Sequence, residues 1–160
     1  MWVTDGTSSG TVLVKDIRPG SDISNPYRFT AVGNTLYFVA NDGTNGQELW
    51  KSDGTTSGTV MVKDIYSGSD SSSLNQLTAV GNTLYFAAND GTNGYELWKS
   101  DGTTSGTVMV KDIYSGGSGS FNILVTELTA VGNTLYFQAN DGNNGYELWK
   151  SDGTASGTVM

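Results

Sequence analysis

Three loops of the chain gather oxygen-bearing side chains at one spacing. Asp42-Gly43-Thr44-Asn45-Gly46-Gln47-Glu48 recurs as Asp90–Glu96 and as Asp141–Glu147. Asp42, Asn45 and Glu48, with Asp90, Asn93, Glu96 and Asp141, Asn144, Glu147, offer the hard oxygen donors that a calcium ion takes. The spacing is not that of an EF-hand. Thr44 stands where a second carboxylate or amide belongs, and the glutamate follows the aspartate too soon. Asp-Gly and Asn-Gly are also the dipeptides that best accept positive φ in hairpin turns, so turn chemistry accounts for the same residues without a metal. The expectation is therefore no cofactor, with calcium at these positions as the alternative.

Aromatic residues suggest a second chemistry. Trp50, Trp98 and Trp149 recur in register, flanked by Tyr95 and Tyr146, with Gln47 in the first copy. Indoles beside Asn-Gly loops can stack on sugar rings. They can equally fill the space between packed sheets, and core packing is the expectation. Catalysis is not expected. Glycoside hydrolysis needs two carboxyl groups in unlike environments, whereas every acid in these loops recurs in equivalent settings. The chain has no histidine and no cysteine, which removes imidazole bases, thiolates, disulfides and zinc sites. Ser/Thr clusters at 55–57 and 103–105 have no base partner and read as turns.

The elements that must position these residues repeat with them. Glu48-Leu49-Trp50-Lys51-Ser52-Asp53-Gly54-Thr55 returns at 96–103 and 147–154, and a clipped copy, Trp2-Val3-Thr4-Asp5-Gly6-Thr7, opens the chain. The tryptophans lie 48, 48 and 51 residues apart. Each unit predicts a four-stranded antiparallel meander. In the first these strands are Phe29–Val32, Thr35–Ala40, Glu48–Ser52 and Thr59–Ile65, joined by Gly33-Asn34, 41–46 and 53–58. The predicted organisation is 1–27 as the last two strands of a partial unit and a linker, then 28–66 as the first full unit. Residues 67–114 form a linker and the second unit, and 115–160 a linker and a third unit with a short outer strand. In the partial unit Trp2–Asp5 and Thr11–Ile17 read as strands, and Pro19 and Pro26 keep Arg18–Tyr27 as a connection. The linker Tyr114–Glu127 is three residues longer than its counterpart and carries an apolar run, Phe121-Asn122-Ile123-Leu124-Val125.

Composition limits the partners. Formal charge is −8, with eight basic residues among sixteen acids, too few to form a nucleic-acid patch or to adhere to an anionic membrane surface. No apolar run is long enough to span a bilayer, and no signal leader is expected in this chain. The Thr-, Asn- and Gly-rich surface leans towards an extracellular or cell-surface location. Twenty-two glycines would suggest disorder, but four Trp, eight Tyr and five Phe in register with the repeat argue for folded, turn-rich β structure.

A four-stranded unit of this length matches the blade of a β-propeller, so the predicted fold class is all-β, with three propeller blades per chain. The second strand, Thr-Leu-Tyr-Phe-Val-Ala in its first copy, is apolar on both alternations, as a strand stacked between neighbouring blades must be. Lys-Asp at 15–16, 63–64 and 111–112 marks the fourth strand as the outer edge, where the pair reads as solvated charge. The recurring Glu-Leu-Trp-Lys-Ser-Asp-Gly-Thr, with Gly-Asn-Thr-Leu-Tyr-Phe and Asn-Asp-Gly upstream, resembles the bacterial ELWxxDGT repeat family. The resemblance covers essentially the whole chain. It implies β-propellers of surface or secreted proteins and carries over no catalytic residue.

Three blades do not close a ring, since closed propellers have roughly four to eight. A lone wedge would leave two apolar sheet faces of roughly 300 Å² each, more than a soluble monomer tolerates. A homo-oligomer is expected, a six-bladed dimer first and a nine-bladed trimer second. Trp2–Leu13 and Trp149–Met160 encode the same piece of a blade. The C-terminal copy is expected to supply the third strand of the junction blade and the N-terminal copy the outermost. The functional expectation is a non-catalytic, self-assembling scaffold or interaction module. The alternative is a multivalent carbohydrate-binding propeller with a weak site in each blade.

Overall fold

Turn residues set the boundaries of every strand in this protein. The computed structural model describes residues 1–115 and 125–160, with no helix among them. The apolar run Phe121–Leu124 of the longer connection lies outside the described residues. Among the described residues thirteen strands form four antiparallel sheets. A hairpin pairs β1 (Trp2–Val3) with β2 (Val12–Leu13). The first full sheet holds β3 (Tyr27–Val32), β4 (Thr35–Asn41), β5 (Gln47–Ser52) and β6 (Val60–Lys63) in sequence order. The second holds β7 (Asn75–Val80), β8 (Thr83–Asn89), β9 (Tyr95–Ser100) and β10 (Val108–Lys111) in the same order. The third holds β11 (Val125–Val131), β12 (Thr134–Asn140) and β13 (Tyr146–Ser151), with a lone bridge from Lys150 to Val159 at its edge.

Each sheet is a meander because short turns leave a strand no partner but its predecessor. Between β3 and β4 the turn is Gly33-Asn34, and Gly33 has φ 57°, a left-handed conformation that glycine takes without a Cβ clash. The central pairing is identical in all three sheets. Phe38 faces Trp50, Phe86 faces Trp98 and Phe137 faces Trp149.

Packing follows from the alternation along the second strand. Tyr37 and Val39 of β4 join Leu49 and Val62 in a core shared with Leu84, Phe86, Ala88 and Trp98 of the second sheet. Phe38 and Ala40, with Trp50, pack on the other side against Ile17 and Met1. The second sheet repeats the division: Tyr85, Ala87, Leu97 and Val110 meet Leu135, Phe137, Ala139 and Trp149 of the third. The first strands β3, β7 and β11 are neighbours across the stack. Thr30 Oγ1 donates to Leu77 O at 3.2 Å and Thr78 Oγ1 to Leu128 O at 3.3 Å, tying those strands together.

Observed strands differ from the expected ones for local reasons. The fourth strand is Val60–Lys63 and not Thr59–Ile65. The Thr59 hydroxyl is occupied in the preceding turn, donating to Thr55 O at 2.7 Å, and the Ile65 N–H leaves the ladder for the Glu48 carboxylate. The first strand starts at Tyr27 and contains a bulge between Tyr27 and Thr30, where Arg28 adopts φ 57°. Gln76 and Glu127 hold the same conformation at the same place, φ 56° each. In the opening hairpin the ladder is two residues long on each side, and Asp5 shapes the turn by accepting from Thr7 N and Thr7 Oγ1 at 2.9 and 2.7 Å, as Asp53 does from Thr55.

Candidate functional site

The oxygen-rich loops after the second strands use their ligands on themselves. Asp42 Oδ1 accepts from Thr44 N and Asn45 N at 2.8 Å each, and Asp42 Oδ2 accepts from the Asn45 amide at 2.7 Å. Asp90 with Asn93, and Asp141 with Asn144, repeat the arrangement at matching distances. These are Asx turns, with the side chain copying a backbone hydrogen bond. The Asp42 and Asp90 carboxyls are held below their usual range: burial works against this, but the N–H donors outweigh it. Asp141, in the exposed copy, is lowered by the backbone of Asn144 and Asn143. Among the described residues no group of three or more His, Cys, Asp or Glu side chains is arranged to hold a metal.

The glutamates of these loops are directed elsewhere. Glu48 is fully buried and accepts from Ile65 N at 2.9 Å, Tyr66 N at 3.4 Å, Ser72 N at 3.0 Å and Ser72 Oγ at 2.8 Å. It therefore fastens the connection that leaves the fourth strand against the start of the third. Glu96 does the same for Ile113 N at 2.9 Å and Tyr114 N at 3.1 Å. Burial pushes both carboxyls up to about 7 against the opposing pull of those hydrogen bonds. Glu147 occupies the same register position, opposite Ala139 as Glu48 is opposite Ala40, but is exposed.

Trp50, Trp98 and Trp149 are each 6% exposed, inside the contacts between sheets. Their indole N–H groups meet no acceptor among the described residues. A cation covers two of the rings: Lys63 Nζ lies 5.8 Å from the Trp98 ring centre and Lys111 Nζ 5.6 Å from that of Trp149. Tyr95 is half-buried and Tyr146 exposed. The alternative of a sugar platform is thus split, with the indoles enclosed and one tyrosine at the surface.

The lysines are the functional residues that sequence reasoning missed. Expected as solvated charge, Lys15, Lys63 and Lys111 each donate 2.8 Å hydrogen bonds into the next sheet, to Thr59 O, Thr107 O and Thr158 O. Lys51 and Lys99 do likewise, to Gly102 O at 2.8 Å and Gly153 O at 2.7 Å. Thr56 Oγ1 and Thr104 Oγ1 reach back to Val14 O and Val62 O. The available signal was one lysine at a fixed place inside each valine-rich strand, where a purely solvated residue has no reason to keep its position.

These contacts form a junction between successive sheets, built in full twice within the chain and in part by the opening segment against the first sheet. Its two halves also stand unpaired at opposite ends of the stack. On the third sheet Leu148 is 68% exposed, whereas its counterparts Leu49 and Leu97 are 0% exposed. Val131 is 59% exposed against 8% for Val32 and Val80. On the outer side of the first sheet Phe29 is 53% exposed, where the equivalent Leu128 is buried.

Comparison with known proteins gave no match to any protein-family model, curated protein or solved structure.

Proposed function

We propose that the protein is a non-catalytic, self-assembling β-propeller scaffold whose three four-stranded units act as blades and whose ring is completed by further copies. One observation carries this reading. The face that is covered on the first and second sheets is open on the third, where Leu148 and Val131 are exposed and Tyr136 is half-buried in the places of Leu49, Val32 and Tyr37. The matching face of the first sheet is open at Phe29, while Ile17 and Met1 cover Phe38, Ala40 and Trp50 beside it. Stacking the third sheet of one copy on the first of the next repeats a contact that the chain already makes twice. A head-to-tail contact repeated with a rotation that divides a full turn and has no rise along the axis closes into a ring, and cyclic symmetry then makes the assembly finite. The close likeness of the units and the Glu-Leu-Trp-Lys-Ser-Asp-Gly-Thr motif support the propeller class.

Carbohydrate binding fits less well, because the recurring indoles are enclosed and offer no open ring face. Light scattering on the purified chain tests the scaffold reading. A mass twice or three times 16.9 kDa is expected, the dimer first. A well-folded species of 16.9 kDa at micromolar concentration overturns it.

A further inference from the structure

We infer that Glu147 of one copy clamps the Ile17–Ser24 segment of a second copy, a specific polar lock at the junction between chains. The inference rests on the scaffold reading above and names the atoms that would set its register.

The lock exists twice within the chain. Glu48 gathers the backbone N–H groups of Ile65, Tyr66 and Ser72, and Glu96 those of Ile113 and Tyr114. In each case the acceptor sits near the start of the third strand, and the donors lie just beyond the fourth. At the ends of the stack the halves are separated. Glu147 has the same backbone pairing, Ala139 opposite it, yet receives no hydrogen bond from any described residue. Ile17, Arg18 and Ser24 occupy the positions of Ile65, Tyr66 and Ser72 in the repeat. Their N–H groups, and the Ser24 hydroxyl, donate to no described group.

The donor segment already has the docked shape. Ser24 O accepts from Asn41 N at 2.9 Å, as Ser72 O accepts from Asn89 N at 2.9 Å. The next residue is left-handed in both segments, Asn25 at φ 44° and Ser73 at φ 50°. Val14 and Ile17 are buried, so the segment is anchored on its own first sheet before any partner arrives. Docking therefore fixes little new backbone, which favours association.

The opening hairpin must yield. Trp2 pairs with Leu13 in the register that Trp98 holds with Met109, so β1 occupies the place that β13 of the other copy would take beside β2. That hairpin is held by a two-residue ladder and by Met1, which donates to Lys15 O at 3.0 Å and accepts from Val14 N at 2.9 Å, and it leaves Trp2 67% exposed. Exchanging Trp2 for Trp149 and its neighbours lengthens the ladder and brings Glu147 over the Ile17, Arg18 and Ser24 amides. Leu148 is covered by the same step.

A cysteine pair tests the lock, since the chain has no cysteine of its own. Ser24→Cys combined with Glu147→Cys should give inter-chain disulfides on mild oxidation, seen as multimers on a non-reducing gel, while neither single variant does so. Glu147→Ala should raise the concentration at which the assembly dissociates by about tenfold or more, because it leaves buried amide donors unpaired. Glu127→Ala, which removes an exposed carboxylate outside the lock, should leave it unchanged. Far-UV circular dichroism should be the same for all. A wild-type chain that is monomeric overturns the ring and the lock together. A multimeric wild type whose mass profile survives Glu147→Ala, with no crosslinking of the cysteine pair, overturns the lock alone.

Discussion

Lys51 donates its ammonium group to the carbonyl of Gly102, 2.8 Å away and in the next sheet. The Tyr37 side chain reaches the same turn, so close that a Cβ at Gly102 would run into its hydroxyl oxygen. Lys99, Tyr85 and Gly153 repeat the arrangement one sheet further on. Sheets are therefore held together by polar groups at their rims as well as by apolar side chains between them. Rim contacts define direction: each sheet reaches forward with lysine and tyrosine and presents a carbonyl backward.

Removing the forward ammonium should loosen the stack. Lys51→Met keeps most of the aliphatic stem and loses the charge-assisted hydrogen bond, which is worth about 1.5–3 kcal/mol when well formed. Lys51 is half-buried, so the expected loss is about 1 kcal/mol, read as a lower denaturant midpoint at unchanged slope.

Gly102→Ala should be more damaging. Gly102 has φ 88°, where an L-residue is strained, and the added methyl meets Tyr37. The expected cost is about 2–4 kcal/mol, the sum of backbone strain and overpacking. Tyr37→Phe in the Gly102→Ala background should recover part of it, because the clash is with the hydroxyl oxygen. Gly54 has φ 91° with nothing near its missing Cβ, so Gly54→Ala should show only the backbone share, about 1–2 kcal/mol. Urea titrations of the two single variants and the double variant check this.

These contacts also mark how far the sequence could be read. The all-β class, the meander order and the enclosed second strand follow from alternation and turn dipeptides, which are local. Leu-Tyr-Phe-Val-Ala at 36–40 cannot be solvated on either face, so sheets had to lie on both sides of it. What joins the sheets is not local. The partner of Lys51 lies in another repeat, and nothing in a string of valines around Lys63 shows that its ammonium turns to Thr107 O. Glu48 was legible as an oxygen ligand but misassigned to the loop it closes, because its donors lie 17 to 24 residues away.

Calcium should leave the fold unaffected. The Asp42 carboxylate is already occupied by Thr44, Asn45 and the Asn45 side chain, and Glu48 by the connection to the second sheet. Adding millimolar calcium or a chelator is expected to leave the melting temperature unchanged, since a ligand that binds only the native state would raise it. Asn45→Ala, by contrast, should lower stability by about 0.5–1.5 kcal/mol through loss of the hydrogen bond that the Asn45 side-chain amide donates to Asp42 Oδ2, with or without the ion.

Stability should fall as pH rises from mildly acidic to neutral. Burial raises Glu48 and Glu96 from the ordinary 4.5 to about 7; Asp112 and Asp90 add a smaller upward push to Glu96. A carboxyl raised in the folded state binds its proton more tightly there than when unfolded. Its contribution is complete below about 4.5 and is lost as pH climbs through about 7. The turn aspartates act in the opposite sense. Asp5, Asp53, Asp101 and Asp152 are lowered chiefly by the threonine hydroxyl two residues on, then by that residue's N–H. Their contribution is present above about 3.8 and is lost on acidification through the lower folded values. The two trends leave a stability maximum between about pH 3.8 and about pH 4.5, and melting curves between pH 3 and pH 8 should trace it. Glu48→Gln combined with Glu96→Gln keeps a carbonyl acceptor for the amides and cannot titrate. That variant should flatten the alkaline limb of the profile and leave the acid limb intact.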